Sequence, residues 1–297
     1  GSEISIDSAT GVMSFVAAPD YETKPSYSAT VTASDGANSE QQEISININN
    51  LNDNEPIFES SLTFTANENQ TAIGTASATD ADDDTLTYSI SGSEISIDSA
   101  TGVMSFVAAP DYETKTAYQA TVTASDGAFA SSKQVSIEVI NLNDNAPILT
   151  SANTFIVDEN ETAIGTVTAT DADGGTITYS ISGSEITVNS STGVLAFASA
   201  PDYETKSTYT ATVTASDGNT PVTQDITINV NNLNDNTPGF TSGATFSAAE
   251  NQTAIGTVTA TDADGDTITY SISGSEITIN SSTGVLTFAS APDYETK

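Results

Sequence analysis

The chain contains no cysteine, histidine, tryptophan or arginine. Without Cys there is no disulfide framework and no thiolate metal site, and the redox compartment has no marker. Without Trp there is no large aromatic platform of the kind that stacks on sugars. Positive charge is nearly absent: five Lys stand against 40 acids, for a net charge of −35 over 297 residues. That balance excludes electrostatic binding to nucleic acid or to an anionic membrane, and it invites a cationic partner, most simply a metal ion. No apolar run reaches transmembrane length, and no signal peptide opens the chain. The first residue is Gly, so a fragment of a longer protein is expected. Charged residues make up only 15% and apolar residues 37%. With the apolar residues regularly alternating, this composition argues against disorder.

What is present is one unit, repeated. Residues 1–24, GSEISIDSATGVMSFVAAPDYETK, recur unchanged at 92–115, and close copies begin at Gly183 and Gly274. The period is 91 residues, so the chain holds three periods and a 24-residue overlap. Within a unit the pattern has period two: Tyr118, Ala120, Val122 and Ala124 alternate with Gln119, Thr121 and Thr123. Val135, Ile137 and Val139 share a face, as do Leu86, Tyr88 and Ile90. Such alternation puts successive side chains on opposite faces of a sheet, and Thr, Val, Ile and Tyr are good strand formers. Turn signals such as SDG at 125–127 and STG at 191–193 punctuate the runs, which predicts a β-sandwich. Strands are expected at roughly 60–66, 72–79, 85–91, 94–98, 102–107, 117–125 and 132–141. A unit of this size can bury one modest core. The expected domains are complete units at 55–145 and 146–236, flanked by the back part of one at 1–54 and the front part of another at 237–297.

The acids recur in register too. ENQTAIG and its copies place Glu68, Glu159 and Glu250. TDAD places Asp80 with Asp82, Asp171 with Asp173, and Asp262 with Asp264. PDYE places Asp20 with Glu22, Asp111 with Glu113, and Asp202 with Glu204. ASDG places Asp35, Asp126 and Asp217. The runs NLNDNEP, NLNDNAP and NLNDNTP place Asp53, Asp144 and Asp235. A sandwich gathers its connections at two poles, so these acids fall where loops cluster.

In their order and register, over the whole chain, these motifs resemble the cadherin repeat. The repetition and the Thr/Ser/Asn-rich composition are similar to the cadherin-like arrays of large bacterial surface proteins and adhesins. The resemblance implies an all-β tandem array of seven-stranded Greek-key β-sandwiches, cadherin- or immunoglobulin-like, joined by Ca2+-binding linkers with two to three ions per junction. Carried over residue by residue, the first junction takes Asp20, Glu22, Asn50, Asn52, Asp53, Asp80, Asp82 and Asp126, with Leu51 and Asn54 in the linker. Its upstream Glu is expected before residue 1. The second takes Glu68, Asp111, Glu113, Asn141, Asn143, Asp144, Asp171, Asp173 and Asp217, with the carbonyls of Leu142 and Asn145. The third takes Glu159, Asp202, Glu204, Asn232, Asn234, Asp235, Asp262 and Asp264, with Leu233 and Asn236, and its last Asp is expected past Lys297. Asn50, Asn141 and Asn232 stand where the family usually has Asp, which weakens the attraction for one of three ions. Tyr21, Tyr112 and Tyr203 replace the Arg of the family's Asp-Arg-Glu. The missing Trp removes the anchor of strand-swapped adhesion.

Calcium suits such a set because it takes six to eight oxygens, many of them carboxylate. The plainer reading is that Asn and Asp only cap turns. Five motifs in one register favour the metal. DADGDT at 262–267 is not an EF-hand loop, since it lacks Gly at its sixth position and Glu at its twelfth, where Ser273 stands. Paired acids such as Asp111 and Glu113 could serve glycoside hydrolysis, but a pair in every unit indicates structure, and no enzyme is expected. Lys24, Lys115, Lys206 and Lys297 recur; a Lys–Asn isopeptide bond is one reading of them, and plain solvation is the expectation. The expected function is a calcium-rigidified extracellular stalk or filament that supports adhesion or surface extension. The alternative is direct calcium-dependent binding of cells or polysaccharide. The partners are then calcium, identical repeats meeting laterally or end to end, or surface glycans. The location is the cell surface.

Overall fold

The computed structural model describes residues 3–59 and 61–296. Ser60, which opens one expected strand, and Lys297, the last recurring lysine, lie outside the described residues. The regular elements among the described residues are all β-strands. The chain divides into two compact units, Gly1–Leu142 and Asn143–Lys297, the division falling inside the run 141–147.

In the first unit the alternating run 117–125 is strand Ala117–Ser125. It turns at Asp126 and Gly127 and returns as Ala130–Ile140, with Ala117 opposite Glu138 and Ser125 opposite Ala130. Leu62–Asn67 joins Ala130–Ile140 in parallel, and Thr87–Ile90 joins Ala117–Ser125 antiparallel, which completes a four-stranded sheet. A three-stranded sheet of Ile95–Ile97, Val103–Phe106 and Ala72–Thr75 supplies the second layer. The period-two face predicts the core between them: Met104, Val122 and Val135 are 0% exposed and Ile137 is 1% exposed. Burying each such side chain contributes about 1.5–3 kcal/mol. Phe106 meets Tyr118 edge to face at 4.8 Å.

The expected strand 72–79 is two pieces. Ala72–Thr75 pairs with Val103–Phe106 across a bulge at Met104 and Ser105, while Ala78–Thr79 pairs with a strand that the periodicity did not reveal, Ile57–Phe58. The Ala76 N–H still donates to the carbonyl of Gly102 at 2.9 Å, in the register that sets Thr75 opposite Val103, and the break follows it: the Ser77 carbonyl accepts the N–H of Glu59 at 3.4 Å, on the other pair. The Tyr88 hydroxyl then accepts the N–H of Ala78 at 3.2 Å. The seven expected strands therefore become nine among the described residues, in a four-stranded sheet, a three-stranded sheet and a two-stranded pair. Earlier in the same unit, Ile4–Ile6 pairs with Met13–Phe15, and Ser26–Ser34 with Ser39–Asn47. Met13 is 44% exposed, whereas its counterpart Met104 is sealed.

The second unit repeats the plan. Its four-stranded sheet runs Thr154–Asp158, Pro221–Asn231, Thr208–Ser216, Thr178–Ile181, and its three-stranded sheet runs Ala163–Thr166, Val194–Phe197, Ile186–Val188. The expected turn at 191–193 is built by Asn189, whose Oδ1 accepts the N–H groups of Ser191 and Thr192, both at 3.0 Å. Gly193 follows at φ +70°, and a Cβ there would lie 2.1 Å from the Val167 carbonyl oxygen, so only Gly fits. Beyond residue 238, Ala254–Thr257, Val285–Phe288 and Ile277–Ile279 form another three-stranded sheet. Phe240, Val258, Ile268, Tyr270 and Leu286 line a cavity of about 440 Å³ there.

Candidate metal centres

The acids lie in loops at the ends of the strands, and in each unit a linker run is laced to one of those loops. In the first unit Asp82, only 5% exposed, is the organiser. Its Oδ2 accepts the N–H groups of Asp53 at 3.0 Å and Asn54 at 2.8 Å, and its Oδ1 accepts the Asn54 amide at 2.9 Å. The Asn54 amide also reaches Asp53 Oδ1 at 3.0 Å, and the Asn50 amide donates to the Asp82 carbonyl at 2.8 Å. This lacing draws Glu22, Asp53 and Asp82 together, with one carboxylate oxygen from each within 4.8 Å of the others. Asp80, Asp82 and Asp84 form a second such group. Asp20 stands apart in role: its Oδ1 accepts the N–H groups of Glu22 and Thr23, and its Oδ2 the Thr23 hydroxyl, so it shapes the loop that carries Glu22.

The second unit holds the counterpart. Glu159, Glu204, Asp235 and Asp264 bring four carboxylates within 4.8 Å of one another. Glu159 is 1% exposed. Its Oε2 accepts the Tyr203 N–H at 2.8 Å and its Oε1 the Leu233 N–H at 2.6 Å, tying the PDYE loop to the linker. The Asn236 amide bridges Asp235, Asp264 and Glu204 at 2.8, 2.9 and 3.2 Å. The Asn232 amide donates to the Asp264 carbonyl at 2.9 Å, and Asn160 to Asp235 Oδ2 at 2.5 Å. Asp202 repeats the loop-shaping role of Asp20, accepting from Thr205 N and Oγ1. Asp262 and Asn234 line the cavity described above.

In the first unit Glu68, 1% exposed, accepts the N–H groups of Tyr112 at 2.8 Å and Leu142 at 2.6 Å, and it groups with Asp111 and Glu113. Asn141 is half-buried beside it. In the second unit Asp173 Oδ2 accepts the N–H groups of Asp144 and Asn145 at 3.0 and 2.8 Å. The Asn143 amide donates to the Asp217 carbonyl at 3.3 Å, and Asn219 returns a bond to the Asn143 carbonyl at 2.9 Å.

Electrostatics show the crowding. Burial pushes the Glu204 carboxyl up; its own backbone N–H opposes this, but the charges of Glu159, Asp264 and Asp202 add to the rise. The Glu22 carboxyl is likewise raised: its own N–H works to lower it, and burial, Asp20 and the charge of Asp82 outweigh that bond. Burial also opposes ionisation of Asp82, yet the Asn54 amide and the N–H groups of Asn54 and Asp53 hold it below the usual range. The Asn236 amide does the same for Asp264.

The donor set tests the fit to calcium. Buried oxygens with no hydrogen-bond partner remain on Asn52, Asp80, Asp126 and Asp217 (one each) and on Asp171 (both). Orphaned buried acceptors are expensive unless something satisfies them. All are oxygens, with carboxylates predominant, which is the chemistry of a hard cation of calcium's kind and not of zinc. The residues fit. Sequence reasoning missed the side chains of Asn54, Asn145 and Asn236, assigned only as backbone or linker positions; each amide cross-links a linker Asp to the Asp-x-Asp loop. The signal was there, since Asn recurs at the fifth place of every NLNDN run. Asn160 carried the same signal, since Asn follows the recurring Glu in every copy (Asn69, Asn160 and Asn251), whereas Asp84 had none, Gly175 standing at its place in the next copy.

Residues 153–231 match the family model of the cadherin domain. Protocadherin Fat 4 of Mus musculus is 31% identical over an alignment covering 97% of this chain and 7% of its own length. The protocadherin-like wing polarity protein stan of Drosophila melanogaster is 33% identical, with 98% of this chain and 9% of its own length covered. This chain thus spans under a tenth of either relative. Among solved structures, mouse cadherin-23 EC22-24 superposes with a TM-score of 0.68 at 27% identity, over 81% of this chain and 90% of that one. The protocadherin gammaB4 extracellular domain gives 0.71 at 25% identity, over 99% and 54%.

Proposed function

From the premise that this chain is built of cadherin-domain repeats, we propose that it is a calcium-rigidified stretch of an extracellular stalk that supports adhesion. The observation that carries the reading is the set of linker carboxylates crowded on loop carboxylates, with buried oxygens left without partners beside them. Glu22, Asp53 and Asp82, with Asp80, Asp126 and Asn52, would hold ions in the first unit. Glu159, Glu204, Asp235 and Asp264 would do so in the second. Two to three ions per junction match the number of acids. Bound calcium supplies neutralisation and an oxygen cross-link between linker and loop. The chain's own part is to keep the loops ready: Asp20 and Asp202 shape them, and Asn54 and Asn236 lace them to the linker.

Repeat limits near 55, 146 and 237 belong to this reading, since each follows an Asn-Asp-Asn-x-Pro run. The paired acids recur in register, which supports a structural and adhesive part over a catalyst. Near-identical successive units suit a spacer more than a receptor with one distinctive surface. The same repetition, with the Thr/Ser/Asn-rich composition, is what favours a surface array of the bacterial type, while the relatives named above are animal proteins. Among the described residues no helix is long and apolar enough to cross a membrane.

Small-angle scattering with calcium and with EDTA tests the clamp. The maximum dimension and the flexibility should both change when the metal is stripped; identical curves would sink it.

A second reading, direct calcium-dependent contact between repeats or with glycans, draws on one observation. The outward positions of the long ladder pair Gln119 with Ser136, Thr121 with Gln134 and Thr123 with Ser132, a polar row bounded by Glu138 opposite Ala117. Sedimentation and a glycan array in calcium decide it: a monomer that ignores glycans leaves the spacer alone.

A further inference from the structure

The lysines of this acid-rich chain are not scattered. Lys115 Nζ donates to both carboxylate oxygens of Glu94, at 2.6 and 2.7 Å, and lies 4.2 Å from the Tyr118 ring centroid. Lys206 does the same to Glu185, at 2.7 Å to each oxygen, and lies 4.3 Å from Tyr209. Lys24 pairs with Glu3 and lies 4.4 Å from Tyr27. Each of these lysine side chains keeps about 41–42% of its exposure, in line with the expected solvation, yet each is also held in the same clamp. Lys133 sits elsewhere, on strand Ala130–Ile140.

The clamp joins three elements. Glu185 immediately precedes Ile186–Val188 of the three-stranded sheet, and Tyr209 belongs to Thr208–Ser216 of the four-stranded sheet. Lys206 itself ends the PDYETK loop, where its N–H donates to the Asp202 carbonyl at 2.8 Å. Tyr209 is in turn fixed edge to face on Phe197 at 4.8 Å. The loop that carries Asp202 and Glu204 is therefore held at both ends: by Glu159 on the Tyr203 N–H, and by Lys206 across both sheets.

Resting on the calcium reading, we propose that Lys24, Lys115 and Lys206 are positioning residues that preorganise the acidic loops for metal. Two effects of the lysine on calcium affinity have opposite sign. By Coulomb repulsion alone, a cation near the site weakens binding, so its removal would tighten it. By preorganisation, the clamp spares calcium the cost of ordering the loop, so its removal weakens binding. An exposed ion pair gains little stability of its own, which lets the two be separated.

The test compares the parent chain with a triple variant, Lys24→Met, Lys115→Met and Lys206→Met, which keeps the aliphatic stems, and with the corresponding triple Lys→Arg variant. Calorimetric calcium titration should show affinity falling about 3- to 10-fold in the Met variant, the loss expected for loops that must now be ordered on binding. The Arg variant, which keeps the charge and stacks on Tyr, should restore it. Hydrogen exchange in EDTA should rise at 202–206 in the Met variant and not at the core strand Pro221–Asn231. Unchanged or tighter calcium binding, or a uniform rise in exchange, overturns the inference while leaving the calcium reading intact. A parent chain that takes up no calcium removes both.

Discussion

Glu159→Gln separates two roles of one side chain. The carboxylate is 1% exposed and accepts Leu233 N–H at 2.6 Å and Tyr203 N–H at 2.8 Å. A glutamine is isosteric but offers one acceptor oxygen, so one of these N–H groups must face an NH2. Losing one charge-assisted bond and leaving a buried donor unpaired costs about 2–5 kcal/mol. Relief of repulsion from Glu204, Asp235 and Asp264 acts the other way in the absence of metal, so the loss in EDTA should lie at the low end. In calcium the variant also loses a ligand. At a calcium concentration 100-fold above Kd, one bound ion stabilises by about 2.7 kcal/mol, and a tenfold weaker site forfeits about 1.4 kcal/mol of that. Denaturant unfolding of parent and variant, in calcium and in EDTA, reads both terms. The destabilisation should be larger in calcium by about 1–2 kcal/mol. Equal losses in the two buffers would mean that Glu159 only ties loop to linker, and the metal argument at this site would fail.

Without metal, thermal stability should rise as pH falls from neutrality toward the ordinary glutamate value of 4.5, because Glu22 and Glu204, raised above it by burial and then by neighbouring carboxylates, take up protons in the folded state first. Below the ordinary aspartate value of 3.8 it should drop, as Asp7, Asp20, Asp82 and Asp98, whose lowered values reflect native hydrogen bonds, become protonated. In calcium the acid-side gain should vanish, since protons then compete with the ion; a scan of Tm against pH in both buffers checks this, and parallel profiles contradict it. Gly193→Ala should lower stability by about 2–4 kcal/mol, from a left-handed backbone and a Cβ placed against the Val167 carbonyl, as read by urea unfolding. Met104→Ala, at a fully sealed core position, should cost about 2–5 kcal/mol in the same assay.

The core was legible because a sheet writes its burial into every second residue. Tyr118, Ala120, Val122 and Ala124 were placed on one face, and Val122 and Ala124 are 0% exposed. The acid clusters were legible by register: Glu22 with Asp53 and Asp82, and Glu159 with Glu204, Asp235 and Asp264, meet across long sequence separations. The break within 72–79 was hidden, because the chain changes partners between Ala76, bonded to Gly102, and Ser77, bonded to Glu59, and local alternation carries no trace of that. The short strand Ile57–Phe58 was hidden for the same reason, as two residues show no period. The asparagine amides and the lysine clamps were visible as letters but not as contacts. Their partners are fixed by how loops from different strands meet at the pole, which composition and spacing do not encode.

Where calcium sits decides the clamp mechanism. Crystals grown in millimolar calcium and measured at a long wavelength should show anomalous peaks among Glu22, Asp53 and Asp82, and among Glu159, Glu204, Asp235 and Asp264, with oxygens at about 2.3–2.6 Å from each. Maps with no peak at either cluster, and with the carboxylates turned out to solvent, would contradict it.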